Sequence, residues 1–219
     1  MAVKLIAFGD IHEHTGNVGK IEGLSDADAV IITGDLTNFA GARKAKEVIE
    51  SIKRYNPRVY AQLGNLDQEE VNGYLDELGI NLHANGIIIQ GVGIFGVGGS
   101  NPTPFNTPTE YSEEQIEAFI RKGYEKIKDI PLKIMVPHAP PYNTNVDVVG
   151  SDAHVGSTAV RAFIEKYQPQ LCLTGHIHEA VGTDRIGETI IVNPGMLKYG
   201  GYIEVVEKDA RLEADLKKV

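Results

Sequence analysis

The sequence has no tryptophan, one cysteine and no apolar run of membrane-spanning length. A single cysteine cannot close an intramolecular disulfide, and Cys172, set between Leu171 and Leu173, reads as a buried reduced thiol. A transmembrane helix needs about 20 consecutive apolar residues, which excludes a membrane partner of that kind. The opening run, residues 1–8, is too short for a signal peptide and soon meets Asp10. A cytoplasmic location is therefore expected. Basic residues are also scarce: 21 Lys and Arg stand against 30 Asp and Glu, a net charge of −9. Nucleic-acid binders cover phosphates with Lys and Arg, so a large nucleic-acid surface is not expected and a nuclease is a weak reading. A small phosphate-bearing substrate needs positive charge from another source, and bound metal ions supply it in a carboxylate-rich pocket. A homo-oligomer is compatible with this composition.

With 219 residues, 42% of them hydrophobic, and glycines and prolines spread along the chain, one domain over residues 1–219 is expected. Short runs rich in Val, Ile and Leu at residues 3–8, 29–33, 59–63, 132–136 and 171–174 read as buried strands. Helical spacing of apolar residues predicts helices over 42–55 and 112–128, and Asp67 with Glu70 looks like a cap pair opening a helix to about Leu78. Residues 86–98 read as a hairpin turning at Gly91-Val92-Gly93, and residues 189–216 as successive strands with a turn at Lys208-Asp209. Two β-sheets packed as a sandwich and flanked by helices, an α/β fold of four layers, fit this order better than one open parallel sheet. Two long loops, residues 100–111 and 140–156, are of the length that is commonly functional. In them Phe105 and Tyr142 are expected to pack the loops down rather than stack on a ligand.

Five polar stations follow the strand-like runs: Asp10-Ile11-His12, Gly34-Asp35, Gly64-Asn65, His138, and Gly175-His176-Ile177-His178. Two carboxylates, an amide and four imidazoles form the oxygen and nitrogen set that divalent transition metals take. Each station has a simpler reading alone. Asp35 can cap a helix, Asn65 can sit in a turn, and His138 can be an ordinary loop histidine. Asn193-Pro194-Gly195 reads as a tight turn, and Asp67 and Glu179 as groups that orient imidazoles or, more simply, as a cap and a surface acid.

Taken in order, the five stations resemble the calcineurin-like metallophosphoesterase family, with Pro140-Pro141-Tyr142, residues 154–157 and Glu179 similar to its small single-domain prokaryotic members. The resemblance implies a four-layer fold and two metal ions, with Mn, Fe, Zn or Ni as the candidates. Asp10, His12, Asp35 and His178 would hold the first, and Asp35, Asn65, His138 and His176 the second. It further implies a phosphoesterase in which hydroxide held by the metal pair attacks phosphorus in line.

One departure bears on the substrate. The family often places histidine directly after the asparagine, to protonate the leaving oxygen; this chain has Leu66. General acid catalysis contributes about 10²- to 10⁴-fold, and monoester dianions with poor leaving groups depend on it most. A phosphodiesterase is therefore expected ahead of a phosphomonoesterase, with His14 or His154 as a replacement acid or phosphate contact. The competing reading is a metal-binding scaffold of the same fold with little turnover, as a retromer subunit of similar fold is.

Overall fold

The computed structural model describes residues 3–150 and 152–219. Met1 and Ala2, at the head of the first predicted run, and Ser151, inside the predicted loop 140–156, lie outside the described residues.

Alternation along the strands sets the layers. In β1 (Lys4–Phe8), Leu5 and Ala7 point into one apolar cluster and Ile6 and Phe8 into another, and all four are buried. The chain continues through β2 (Ala29–Ile32), α1 (Ala42–Lys53), β3 (Val59–Ala61), α2 (Glu70–Glu77), β4 (Asn85–Ile89), β5 (Val92–Val97), α3 (Glu113–Glu125) and β6 (Leu132–Pro137). A short ribbon, β7 (Val148–Val149) and β8 (Ala153–His154), precedes α4 (Thr158–Tyr167). After it come β9 (Leu171–Leu173), β10 (Gly182–Ile186), β11 (Thr189–Asn193), β12 (Gly201–Lys208) and β13 (Arg211–Lys218).

One sheet has the order β13-β12-β1-β2-β3 and the other β10-β11-β9-β6-β5-β4. Leu5, Ala7 and Ile31 of the first sheet meet Ile94, Ile134, Val136 and Leu173 of the second in the central layer. On the outer face of the first sheet, Ile6, Phe8 and Ile32 pack with Val48, Ile49 and Ile52 of α1 and Val71 and Leu75 of α2. On the outer face of the second, Phe95 and Met135 pack with Ile116 and Ile120 of α3 and Phe163 and Ile164 of α4. The predicted sandwich flanked by helices is the observed architecture. Removal of each such side chain from water is worth roughly 1.5–3 kcal/mol, which is what holds four layers in register.

Several local expectations are corrected. Asp67 does not cap α2: that helix follows Glu69, and Glu70 instead accepts Ala42 N–H (2.9 Å), at the start of α1. The first hairpin turns at Gln90-Gly91, one residue earlier than expected, and the last at Asp209-Ala210, one residue later. Both residues of each turn have positive φ, the conformation that matches the twist of a two-residue hairpin. Helix α4 lies outside the predicted helices, although Ser157 caps it by accepting Val160 N–H (3.2 Å) and Val160, Phe163 and Ile164 share its buried face. Phe105 is 80% exposed and Tyr142 41%, so neither packs its loop down.

Candidate metal centre

The strands carrying the stations run side by side, so their carboxyl ends converge at one edge of the two sheets. β1 pairs in parallel with β2, and β6 in parallel with β9. Just past these ends the backbone reverses direction sharply. Asp10, His12, Asp35 and His176 all have φ between 45° and 68°, a region that non-glycine residues seldom occupy and that gathers at functional sites. Glycine precedes a donor in four stations, and a Cβ at any of the four would meet a neighbour at 2.4 Å or less. A Cβ on Gly64 would stand 2.0 Å from Asp35 Oδ1, and one on Gly175 2.4 Å from Asp10 Oδ2.

All seven predicted donors are brought together, in two groups. Ligand atoms of Asp10, His12, Asp35 and His178 lie within 4.8 Å of one another. His178 Nε2 is 3.1 Å from His12 Nε2 and 3.2 Å from Asp10 Oδ1. In the second group, Asn65 Oδ1 is 3.1 Å from His138 Nε2 and 2.8 Å from His176 Nδ1. Asp35 joins them: its Oδ2 lies 3.8 Å from His12 Nε2 and 3.4 Å from His138 Nε2.

Surrounding hydrogen bonds decide which atom each donor presents. A backbone carbonyl only accepts, so the Nδ1–H of His12 donates to Thr37 O (3.3 Å) and that of His138 to Thr33 O (3.0 Å). Their Nε2 atoms then face inward. Leu66 N–H donates to Asp35 Oδ1 (2.8 Å) and leaves Oδ2 between the groups. The Asn65 amide donates to Thr107 Oγ1 (3.0 Å), which in turn donates to Glu110, so Asn65 Oδ1 is the atom turned to the centre. His176 N–H bridges both oxygens of Asp10. Lone pairs of three kinds crowded this closely repel one another unless protons or a cation lie among them, and the donor set fits a cation.

Electrostatics follow from burial and mutual contact. At Asp10, burial opposes ionisation, but the His178 hydrogen bond and the imidazoles of His138, His178 and His12 outweigh it and hold the pKa at about 2. Burial likewise opposes the charged form of His138, yet Asp35 and Asp10 lift it to about 9. His176 falls to about 4 through burial and the nearby His138, while His178 rises, its contact with Asp10 overcoming burial.

Several supporting contacts carry no sequence signal. Gln62 lies buried between the sheets, and its amide donates to Thr33 O, Val97 O and Val136 O, tying three strand ends together. Asp67 touches no imidazole; its carboxylate accepts from Leu36 N, Thr37 N and Gly64 N, which locks two stations to each other. Asn193 does more than turn the chain, since its amide donates to Ile177 O (2.8 Å) between the two histidines of the last station. Fixed spacing could not have exposed these contacts, because nearly every partner is distant in sequence.

A cavity of about 920 Å³ opens over the centre, with Asp35, Asn65, His176 and His178 in its lining. Leu66, Phe39, Phe105 and Tyr142 make much of the wall, and neither lysine nor arginine is among the described lining residues. His154 faces this cavity, and Glu179 is exposed at it; His14 is exposed outside it, with Nδ1 at 2.7 Å from His12 O. No described helix is long and apolar enough to cross a membrane.

Known proteins match this chain over most of its length. A model of the calcineurin-like phosphoesterase family matches residues 3–180. An uncharacterized protein of Methanocaldococcus jannaschii is 37% identical over 211 residues, 91% of either chain. The solved structure of TT1561 from Thermus thermophilus superposes with a TM-score of 0.74 at 21% identity, over 98% of this chain and 99% of that one. A dimetal phosphatase from Danio rerio superposes with a TM-score of 0.59 at 8% identity, over 99% and 98%. With the two solved structures the likeness is one of fold.

Proposed function

This chain belongs to the calcineurin-like phosphoesterase family, and from that premise we propose that it is a cytoplasmic hydrolase of small phosphodiesters that works with two divalent transition-metal ions, drawn from Mn, Fe, Zn and Ni. The observation that carries the reading is one oxygen, Asp35 Oδ2, set between two groups of inward-facing donors. Asp10, His12, Asp35 and His178 would hold one ion, and Asp35, Asn65, His138 and His176 the other. Bound metal supplies a nucleophile from water at neutral pH and stabilises charge on the phosphoryl oxygens. The Danio rerio neighbour of the same fold, a dimetal phosphatase, supports this use of the centre.

The chain's own residues favour a diester. Glu113 and Glu179 line the cavity without a lysine or arginine beside them, so a dianionic monoester meets more repulsion than a monoanion does. Leu66 offers no proton to a leaving oxygen where the family often has histidine. The exposed rings of Phe39, Phe105 and Tyr142 present flat apolar surface to an ester substituent. Hydrolysis of bis-p-nitrophenyl phosphate and p-nitrophenyl phosphate, each with the four metals, tests the reading. The diester is expected to lead in kcat/KM by about tenfold or more, as the acidic lining without Lys or Arg repels the dianionic monoester more than the monoanion. A monoester preference would overturn the diesterase assignment, and no turnover with any metal would favour a scaffold of the same fold.

Metal loading should also release protons. His138, held up at about 9, carries a proton at pH 7 that a cation must displace from Nε2. Its pKa is raised in the fold, so the stability it contributes is fully present below its ordinary 6.5 and is lost as pH rises through about 9. Metal affinity accordingly climbs with pH up to about 9 and then levels. Calorimetric titration with Mn²⁺ at pH 7, in two buffers of different ionisation enthalpy, is expected to show about one proton released. Identical heats in both buffers would contradict this.

A further inference from the structure

Leu66 leaves open which group protonates the departing oxygen. We infer that His154, held by the buried carboxylate of Asp147, is the general acid of this site, delivering a proton from Nε2 to the leaving oxygen of the phosphodiester. This rests on the hydrolase reading above. It arises from an Asp–His pair outside the metal donors: His154 Nδ1 lies 2.6 Å from Asp147 Oδ1. A carboxylate accepts only, so Nδ1 carries the hydrogen and Nε2 is the exchangeable position.

Asp147 is fully buried and rigidly placed. Its carboxylate also accepts from Asn143 N (3.0 Å), Thr144 N (2.8 Å) and Gly156 N (3.0 Å), closing the loop before β7 onto the residues after β8. Arg161 of α4 donates to Tyr142 O and Asn143 O from the other side. Asn101 donates to Val155 O (3.1 Å), pinning the residue after His154 to the opposite loop. The imidazole is thus aimed by three separate segments, yet its side chain remains 30% exposed.

The location suits the role. His154 lines the same cavity as Asp35, Asn65, His176 and His178, and it is the one described imidazole in that lining outside the two donor groups. His14 lacks this placement. Besides Asp147, the Tyr142 ring stands steeply inclined to His154, at 68°, with centroids 6.0 Å apart. The remaining acids of the lining are Glu179 and Glu113, and Glu113 already accepts from Ser157 Oγ and Ala159 N.

The step balances simply. The bond from phosphorus to the incoming water oxygen forms as the bond to the ester oxygen breaks. The Nε2 proton passes to that oxygen, which departs as an alcohol. His154 keeps its Nδ1–H on Asp147 and regains the Nε2 proton from solvent, to which the incoming water gives its own surplus proton.

Leaving-group dependence of His154→Gln tests this with the full-length, metal-loaded protein. On methyl p-nitrophenyl phosphate, whose leaving group needs no proton, the loss in kcat should stay within about fivefold; on methyl phenyl phosphate it should reach about 10²-fold or more, with the basic limb of the kcat–pH profile abolished. Nitrogen-15 NMR of the metal-free protein provides a second readout, in which the neutral His154 ring should be the Nδ1–H tautomer. An equal loss on both esters, no loss, or an unprotonated Nδ1 overturns the assignment while leaving the hydrolase reading intact. A wild-type protein inactive on both esters removes the hydrolase reading itself, and this inference with it.

Discussion

Replacing Asp35 by asparagine is expected to lower bound metal from two ions per chain to one or none and kcat/KM on a diester by about 10³-fold or more, the upper end of the effect of removing one electrostatic contributor. The reason lies in the other oxygen. Leu66 N–H requires an acceptor and takes Asp35 Oδ1 at 2.8 Å, so the amide oxygen of Asp35→Asn is drawn to that position. Its NH₂ then replaces Oδ2, turning donor hydrogens toward His12 and His138 where lone pairs are needed. Asparagine tolerates the left-handed backbone at this position, φ 49°, better than other residues, so the change isolates the carboxylate from backbone effects. Metal content by mass spectrometry, beside the diester assay, provides the check. Two retained ions with activity within about tenfold of wild type would remove Asp35 as the bridge.

Asp67→Ala should instead be felt in stability. Leu36 N, Thr37 N and Gly64 N lose their acceptor in a buried setting, with a cost of about 3 kcal/mol, or roughly 6–12 °C in Tm for a chain of this size. Metal binding falls as well, since the residues released lie next to Asp35 and Asn65. The effect depends on pH. Burial, with the charge of Asp35, holds the Asp67 carboxyl up at about 7. A raised carboxyl contributes stability that is present below its ordinary 3.8 and is lost as pH rises through about 7. The Tm difference between wild type and Asp67→Ala in metal-free protein is therefore larger at pH 5 than at pH 8. A Tm unchanged at both pH values would show that other groups hold the two stations together.

The central strands and the longer helices were legible because burial imposes a period. Leu5 and Ala7 against Ile6 and Phe8, and Val48, Ile49 and Ile52 along α1, are patterns that a chain cannot carry without placing those faces against apolar neighbours. The turns were missed by one residue because Gly91-Val92-Gly93 and Lys208-Asp209 contain the usual turn residues, whereas register is set by the strands on either side. Asp67 followed by Glu70 has the spacing of a cap pair, but three backbone N–H groups outside that helix compete for the carboxylate and win. The exposed Phe105 ring could not be anticipated, since packing of a long loop depends on what lies beneath it.

The sequence by itself marked the candidate donors: Asp10, His12, Asp35, Asn65, His138, His176 and His178 each follow an apolar run, and chemistry plus order are local properties. Tertiary structure alone decided that one oxygen of Asp35 stands between two groups, that Leu66 N–H occupies the other, and that Asp147 turns His154 toward the cavity. Those choices are directional. A hydrogen bond selects an atom, not a residue, and its partner is brought within reach only when two sheets pack and their strand ends meet.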